Sequence, residues 1–244
     1  MSQQSGAGVP IRFLLAMPWG RVGSHLLVGI LSRSLGHARL RMASEELTVR
    51  PDWTSDDQLA WLDDHFGLGR RTDGLGMVTH IGSKESAVAV RDRDRFSARC
   101  VEGGIRIVRM RRANVVKAAV SQVRARDHAA TSGGWSIAPD EPAPGPSFIE
   151  PMRLRGVIDT MVAADAMLRS MFTGCAVHDV EYADLLRDLD GVVHRVRDFL
   201  TIEQRAYQVT HAKMTPDDLT ASVLNLDEIA LSLRGTPYEQ LLLE

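Results

Sequence analysis

Apolar runs and segments of helical period alternate along this chain. Residues 11–17 (Ile-Arg-Phe-Leu-Leu-Ala-Met) form an apolar run of strand length, and residues 24–35 repeat apolar positions at helical spacing. A short extended piece at 38–42 reads as a second strand, ending at Ala43-Ser44-Glu45-Glu46. Residues 55–66 read as a helix capped by Thr54 or Ser55 ahead of Asp56-Asp57. Strands are expected at 75–81 and at 105–110, the latter entered through Gly103-Gly104, with a charge-rich exposed stretch at 91–99 between them. A helix follows at 114–128, then a loop rich in Gly, Pro and Ser at 131–147. An amphipathic helix at 148–171, a strand at 175–181, a helix at 184–200 and two helical segments within 216–243 complete the pattern. Such alternation predicts an α/β fold, with a central, mainly parallel sheet covered by helices on both sides.

Composition narrows the class. The 244 residues, 44% of them hydrophobic, suffice for one substantial core. A single domain is therefore expected over 11–244, behind a loose tail at 1–10. The net charge of −2 gives no reason to expect nucleic acid or an anionic membrane as partner. No apolar run approaches the ~20 residues that span a bilayer. Cys100 and Cys175 lie far apart, without metal-ligand spacing, and suit a reducing, cytoplasmic setting with no disulfide framework. Only three of the 29 basic residues, Lys84, Lys117 and Lys213, are lysines.

The first candidate chemistry lies where the 11–17 run ends. Pro18-Trp19-Gly20-Arg21-Val22-Gly23-Ser24-His25 makes a strand–turn–helix junction with two glycines. The amides of such a turn and of the first helical turn have no intrahelical acceptor, and the helix dipole there favours an anion. Gly20 and Gly23 allow close backbone approach, Arg21 adds a fixed positive charge, and Ser24 can donate to an oxyanion. The same residues also suit an ordinary junction in which Ser24 merely caps. The loop lacks the lysine of a Walker loop and the G-x-G-x-x-G of a dinucleotide fingerprint.

A second candidate lies at 111–124. At ~100° per residue, Asn114, Lys117, Ser121 and Arg124 share one quadrant of the predicted helix, opposite Val115, Val116, Ala119, Val120 and Val123. Arg111 and Arg112 stand just upstream, where the preceding strand ends. In open α/β sheets ligands bind outside the carboxyl ends of the strands, and both candidates lie at such ends. Together they suit a ligand with two separated anionic groups. A solvated helix face with salt-bridged arginines is the alternative.

Arg21 to Leu27 (R-V-G-S-H-L-L) resembles the R-S-G-S/T-T-x-L loop of sulfotransferases that use 3′-phosphoadenosine-5′-phosphosulfate (PAPS). Residues 112–121 (R-A-N-V-V-K-A-A-V-S) resemble the second donor element of the bacterial carbohydrate sulfotransferases of the trehalose-sulfating and nodulation-factor type. Weaker similarities follow in the family's order: 125–135, then Val180 to Leu185 with Phe199-Leu200, then 225–242. The resemblance implies a three-layer fold related to the P-loop kinases. It also implies in-line sulfuryl transfer to a hydroxyl of a carbohydrate, lipid or secondary metabolite, with 3′,5′-adenosine bisphosphate as product and no metal. The acceptor would be a small molecule or a glycolipid.

By the same resemblance, Gly20, Arg21, Val22, Gly23, Ser24 and His25 would hold the 5′-phosphosulfate. Arg112, or alternatively Arg111, would hold the 3′-phosphate together with Ser121. Arg21 would neutralise charge on the transferring group. Glu45 is the first candidate for the base, Glu46 its alternate and His80 their rival, placed at the end of the 75–81 strand. His25 stands where the family usually has Thr, and Val22 where Ser is common. The family's frequent G-x-K-L strand is read at Gly76-Met77-Val78-Thr79, without its lysine. A small-molecule kinase and a catalytically degenerate nucleotide-binding or scaffold protein of the same fold are the competing expectations. Trp53, Trp61 and Trp135 suit either ring stacking or packing.

Overall fold

The computed structural model describes residues 9–36, 38–68, 77–133, 144–207 and 218–242. Strands β1 (Ile11–Met17), β2 (Leu40–Ser44), β3 (His80–Ser86), β4 (Arg106–Arg111) and β5 (Val177–Glu181) form one sheet in the order β2-β3-β1-β4-β5. Every pairing in it is parallel. The chain fills the β3–β2 side of β1 first and then crosses to β4. The carboxyl ends of β1 and β4 therefore flank the point where the order reverses, which is where such sheets bind ligands.

The alternation along β1 explains the layers. Phe13, Leu15 and Met17 point to one face and join α1 (Ser24–Leu35), α7 (Tyr182–Arg187) and α8 (Leu189–Leu200) through Leu27, Ile30, Leu185, Val193 and Val196. Leu14 and Ala16 point to the other face, meeting α3 (Ser55–Phe66), α4 (Arg93–Glu102) and the end of α6 (Pro151–Ser170) through Leu62, Phe66, Phe96, Cys100 and Leu168. A third core joins α5 (Val115–Ser132), α6 and α9 (Leu226–Leu233), with Trp19 of the first loop packed into it. The α/β expectation holds, with helices on both faces of a parallel sheet. Among the described residues no helix is long and apolar enough to cross a membrane.

Element by element, β1, α1 and α3 occupy the ranges expected of them, and Thr54 caps α3 through a reciprocal box with Asp57. The charge-rich stretch folds as α4, which exposes Arg93, Asp94 and Arg95 but buries Phe96 and Cys100. The predicted 184–200 helix is two helices, because Asp188 breaks the run and accepts from Gly191 N–H to start α8. β2 begins two residues later than expected.

The largest shift concerns β3. Expected at 75–81, it runs from His80 to Ser86 and is buried at every position. Its sequence, His-Ile-Gly-Ser-Lys-Glu-Ser, has little apolar character to announce a strand. Gly82 allows the close approach of its neighbours: a Cβ there would meet the Phe13 ring, with Cε2 at 2.7 Å and Met42 Sδ at 2.8 Å. Trp53 and Trp61 pack against the second core, where Trp61 stacks on His65 with centroids 5.4 Å apart. Gly76, Trp135, most of the 1–10 tail and most of the 131–147 loop lie outside the described residues.

Candidate functional site

The β1–α1 loop is tightly wound, with Arg21 at φ 69° and Gly23 at φ 82°. Gly23 is the N-cap of α1, so Ser24 is a buried first helical residue and not the cap. Side chains beyond Gly23 enforce its identity, since a Cβ would lie 2.8 Å from Leu185 Cδ1. Val22 is fully buried in the first core. The Arg21 side chain leaves this turn toward α5.

There the two candidate elements meet. Arg21 Nε donates to Ser121 Oγ at 3.0 Å. Arg112 Nη1 donates to the Arg21 carbonyl at 3.4 Å, and its Cζ lies 4.4 Å above the centre of the Tyr182 ring. Burial lowers the Arg21 pKa from its ordinary value, and Tyr182 opposes the shift. Glu181 fastens the neighbouring turn by accepting from Ala113 N–H at 2.7 Å and from Tyr182 N–H at 3.1 Å.

The other residues of the predicted stripe divide. Asn114 caps α5, accepting from Lys117 N–H at 2.9 Å. Arg124 is buried and serves as a brace, donating to Pro144 O at 2.8 Å, Ser147 Oγ at 3.4 Å and Ser222 O. Arg111, the alternate to Arg112, is committed elsewhere: it grips Asp165 with two bonds of 2.7 and 3.0 Å.

A second charged group forms beside the loop. Lys84 of β3 is buried, with its Nζ 2.6 Å from Glu45 Oε1 and 3.0 Å from His25 Nε2. An ammonium only donates, so His25 Nε2 accepts here. Glu45 follows β2 at φ 60°, and its N–H donates to Lys84 O at 2.7 Å. Glu46 begins the short helix α2 (Glu46–Val49). Beneath it, the buried Glu85 carboxylate accepts from Ser83 Oγ at 2.6 Å, Glu46 N–H at 3.2 Å and Leu47 N–H at 3.0 Å. Burial pushes the Glu85 pKa up to about 7, against the lowering effect of these donors.

His80 is not brought to this group. It opens β3 where it was expected to close a strand, and the β3 residues at the loop end are Lys84 to Ser86. Six steps along the strand separate it from Ser86, roughly 20 Å at the usual rise. Its Nε2–H donates to Leu200 O at 3.1 Å, its Nδ1 accepts from Thr79 Oγ1 at 2.9 Å, and burial lowers its pKa. It lines a surface cavity of about 360 Å³ at the opposite edge of the sheet, with Ile11, Ser34 and Thr79.

No family model matches the chain, and no curated protein sequence does. Sulfotransferases are among the solved structures similar to it over nearly its whole length. A sulfotransferase from Alicyclobacillus acidocaldarius is 16% identical and covers 97% of this chain and 97% of its own, with a TM-score of 0.46. A sulfotransferase domain from the curacin biosynthetic pathway is 14% identical and covers 96% of this chain and 90% of its own, with a TM-score of 0.44.

Lys84 and Glu85 join the candidate site without having been singled out as site residues from the sequence, and Tyr182 joins it from the 180–185 segment. Lys84 had a usable signal. The Gly-x-Lys spacing sought at 76–79 occurs at Gly82-Ser83-Lys84, six positions later. The apolar run ending at Ile81 drew the expected strand, and the lysine pattern with it, too far upstream.

Proposed function

We propose that this chain is a PAPS-dependent sulfotransferase, moving a sulfuryl group onto a hydroxyl of a small-molecule or glycolipid acceptor. The observation that carries the reading is the 3.0 Å contact between Arg21 Nε and Ser121 Oγ, with Arg112 bonded to the Arg21 carbonyl. The two segments that resemble donor-binding elements are far apart in sequence yet meet at the switch point of the sheet. Gln122 Oε1, one position after Ser121 and 3.6 Å from where a Cβ on Gly20 would sit, is buried without a hydrogen-bond partner among the described residues. A buried acceptor left open beside this loop suits a ligand that brings its own donor.

When bound, the donor supplies an activated sulfuryl group on a phosphate leaving group. The chain supplies positioning and charge. The loop backbone from Gly20 to His25 and the Arg21 guanidinium receive the 5′ end, while Arg112 and Ser121 receive the 3′-phosphate. Glu45 accepts the acceptor's proton. Lys84 keeps the Glu45 carboxylate oriented and offers positive charge where negative charge builds. A phosphoryl-transfer reading suits the loop less well, because its cation is an arginine and the nearby lysine comes from β3.

Calorimetric titration with 3′,5′-adenosine bisphosphate and with ATP tests the reading, followed by mass analysis of hydroxylated acceptors incubated with PAPS. Binding of the bisphosphate with little binding of ATP, and acceptors heavier by one sulfuryl group, are expected. Equal binding of both nucleotides, or of neither, overturns it.

A further inference from the structure

Glu45 occupies an unusual place for a reacting group. It lies outside regular structure, at φ 60° and ψ 28°, a left-handed conformation that costs a residue with a Cβ roughly 1–3 kcal/mol. Something must hold it there. Two neighbouring residues of β3 do so from opposite sides.

Lys84 takes the Glu45 carboxylate at 2.6 Å, and its own carbonyl takes the Glu45 N–H at 2.7 Å. Glu85, whose side chain leaves the strand on the other face, takes the next two main-chain N–H groups, those of Glu46 and Leu47. Ser83, two positions back and on the same face as Glu85, donates to Glu85 Oε1 at 2.6 Å and fixes the rotamer. The Leu47 side chain is buried in the second core and anchors the far end of the turn. The residue between β2 and α2 is thus gripped by its side chain and by the main chain that follows it.

We infer that Glu85 is a positioning residue that locks the Glu45 turn by binding the Glu46 and Leu47 amides, so that the Glu45 carboxylate stays at Lys84. The inference rests on the reading of Glu45 as the base, but the lock itself does not. A carboxylate with three donors, almost wholly shielded from water, is a costly group to keep merely to fill space. Its partners are two backbone amides of one turn and a buried serine that donates to it.

Glu85→Gln in the full chain tests this, read by amide hydrogen exchange and by steady-state kinetics. The glutamine keeps one acceptor oxygen but turns a donor toward the second amide. Exchange at Glu46 and Leu47 should quicken about tenfold or more, while the β1 and β4 amides keep their protection. Binding of 3′,5′-adenosine bisphosphate should stay within about twofold, and kcat should fall about tenfold or more with the donor KM held. Ser83→Ala, a smaller change, should act in the same direction by a fewfold and serves if Glu85→Gln does not fold.

Unchanged exchange at Glu46 and Leu47 in both variants overturns the lock. Quickened exchange with kcat intact shows a purely structural tie and overturns the positioning role. Wild-type protein without sulfuryl transfer to any acceptor overturns the functional reading alone, and the exchange data still decide the lock.

Discussion

Arg21 and Ser121, 100 residues apart in sequence, share a 3.0 Å hydrogen bond between the first turn of the sheet and the middle of α5. The bond places a guanidinium and a hydroxyl at one point, and it gives the serine a defined acceptor role. Arg112 closes the arrangement by bonding the Arg21 carbonyl while its guanidinium lies over Tyr182.

Substitutions at the arginines should separate sharply. Arg21→Ala and Arg112→Ala should each cost about 2–5 kcal/mol of bisphosphate binding, as loss of one member of a desolvated charge contact does. Arg111→Ala should leave binding within about twofold, because its guanidinium is committed to Asp165. Titration calorimetry on the three variants checks this. Equal losses at Arg111 and Arg112 would contradict the assignment.

The two candidate bases should also part company. Glu45→Gln should lower kcat by about 10²–10⁴-fold with donor binding retained, the range for loss of a general base. His80→Asn should leave kcat within a fewfold, since His80 lies at the opposite end of β3 and bonds Leu200 O and Thr79. A large loss of kcat in a folded His80 variant would restore it as a rival.

Glu85 should leave its mark on the pH dependence of stability. Its pKa in the folded protein is about 7, against an ordinary value of 4.5. The folded state therefore holds this proton more tightly than the unfolded chain. Its contribution to stability is complete below pH 4.5 and is lost as the pH rises through about 7. Relative to Glu85→Gln, the wild type should lose roughly 3 kcal/mol across that window, at 1.36 kcal/mol per pKa unit. Urea unfolding of both proteins at a series of pH values measures it. Parallel stability curves would contradict the prediction.

Gly82→Ala probes how closely β1 and β2 press on β3. The added methyl would collide with the Phe13 ring and with Met42 Sδ at 2.8 Å. Overpacking of this kind costs about 1–3 kcal/mol. A melting temperature equal to the wild type's would show that the ring moves aside freely.

Much of the fold was legible in the sequence because hydrophobic period and burial agree there. Ile11–Met17 alternates between two cores, and both α1 and α3 carry their apolar residues on one side. The β1–α1 junction was legible for a different reason: two glycines between an apolar run and a helical period mark a tight strand–helix turn, with Arg21 and Gly23 at positive φ. β3 was misplaced because its buried residues are polar. Lys84, Glu85 and Ser86 are inside the protein through specific partners, which an apolar-run criterion does not register. That Arg111 is held by Asp165, 54 positions away, is a contact no local pattern supplies.

Strand β3 lies between β2 and β1, with Lys84 opposite Ser44 on one side and Leu15 on the other. Its alignment is therefore dictated twice over. A one-residue insertion between Gly82 and Lys84 would send the ammonium to the face now held by a carboxylate and deliver the carboxylate to the loop. Charge would be inverted at a stroke on both sides of the sheet. Length in this segment is thus as much a part of the chemistry as the identity of any residue in it.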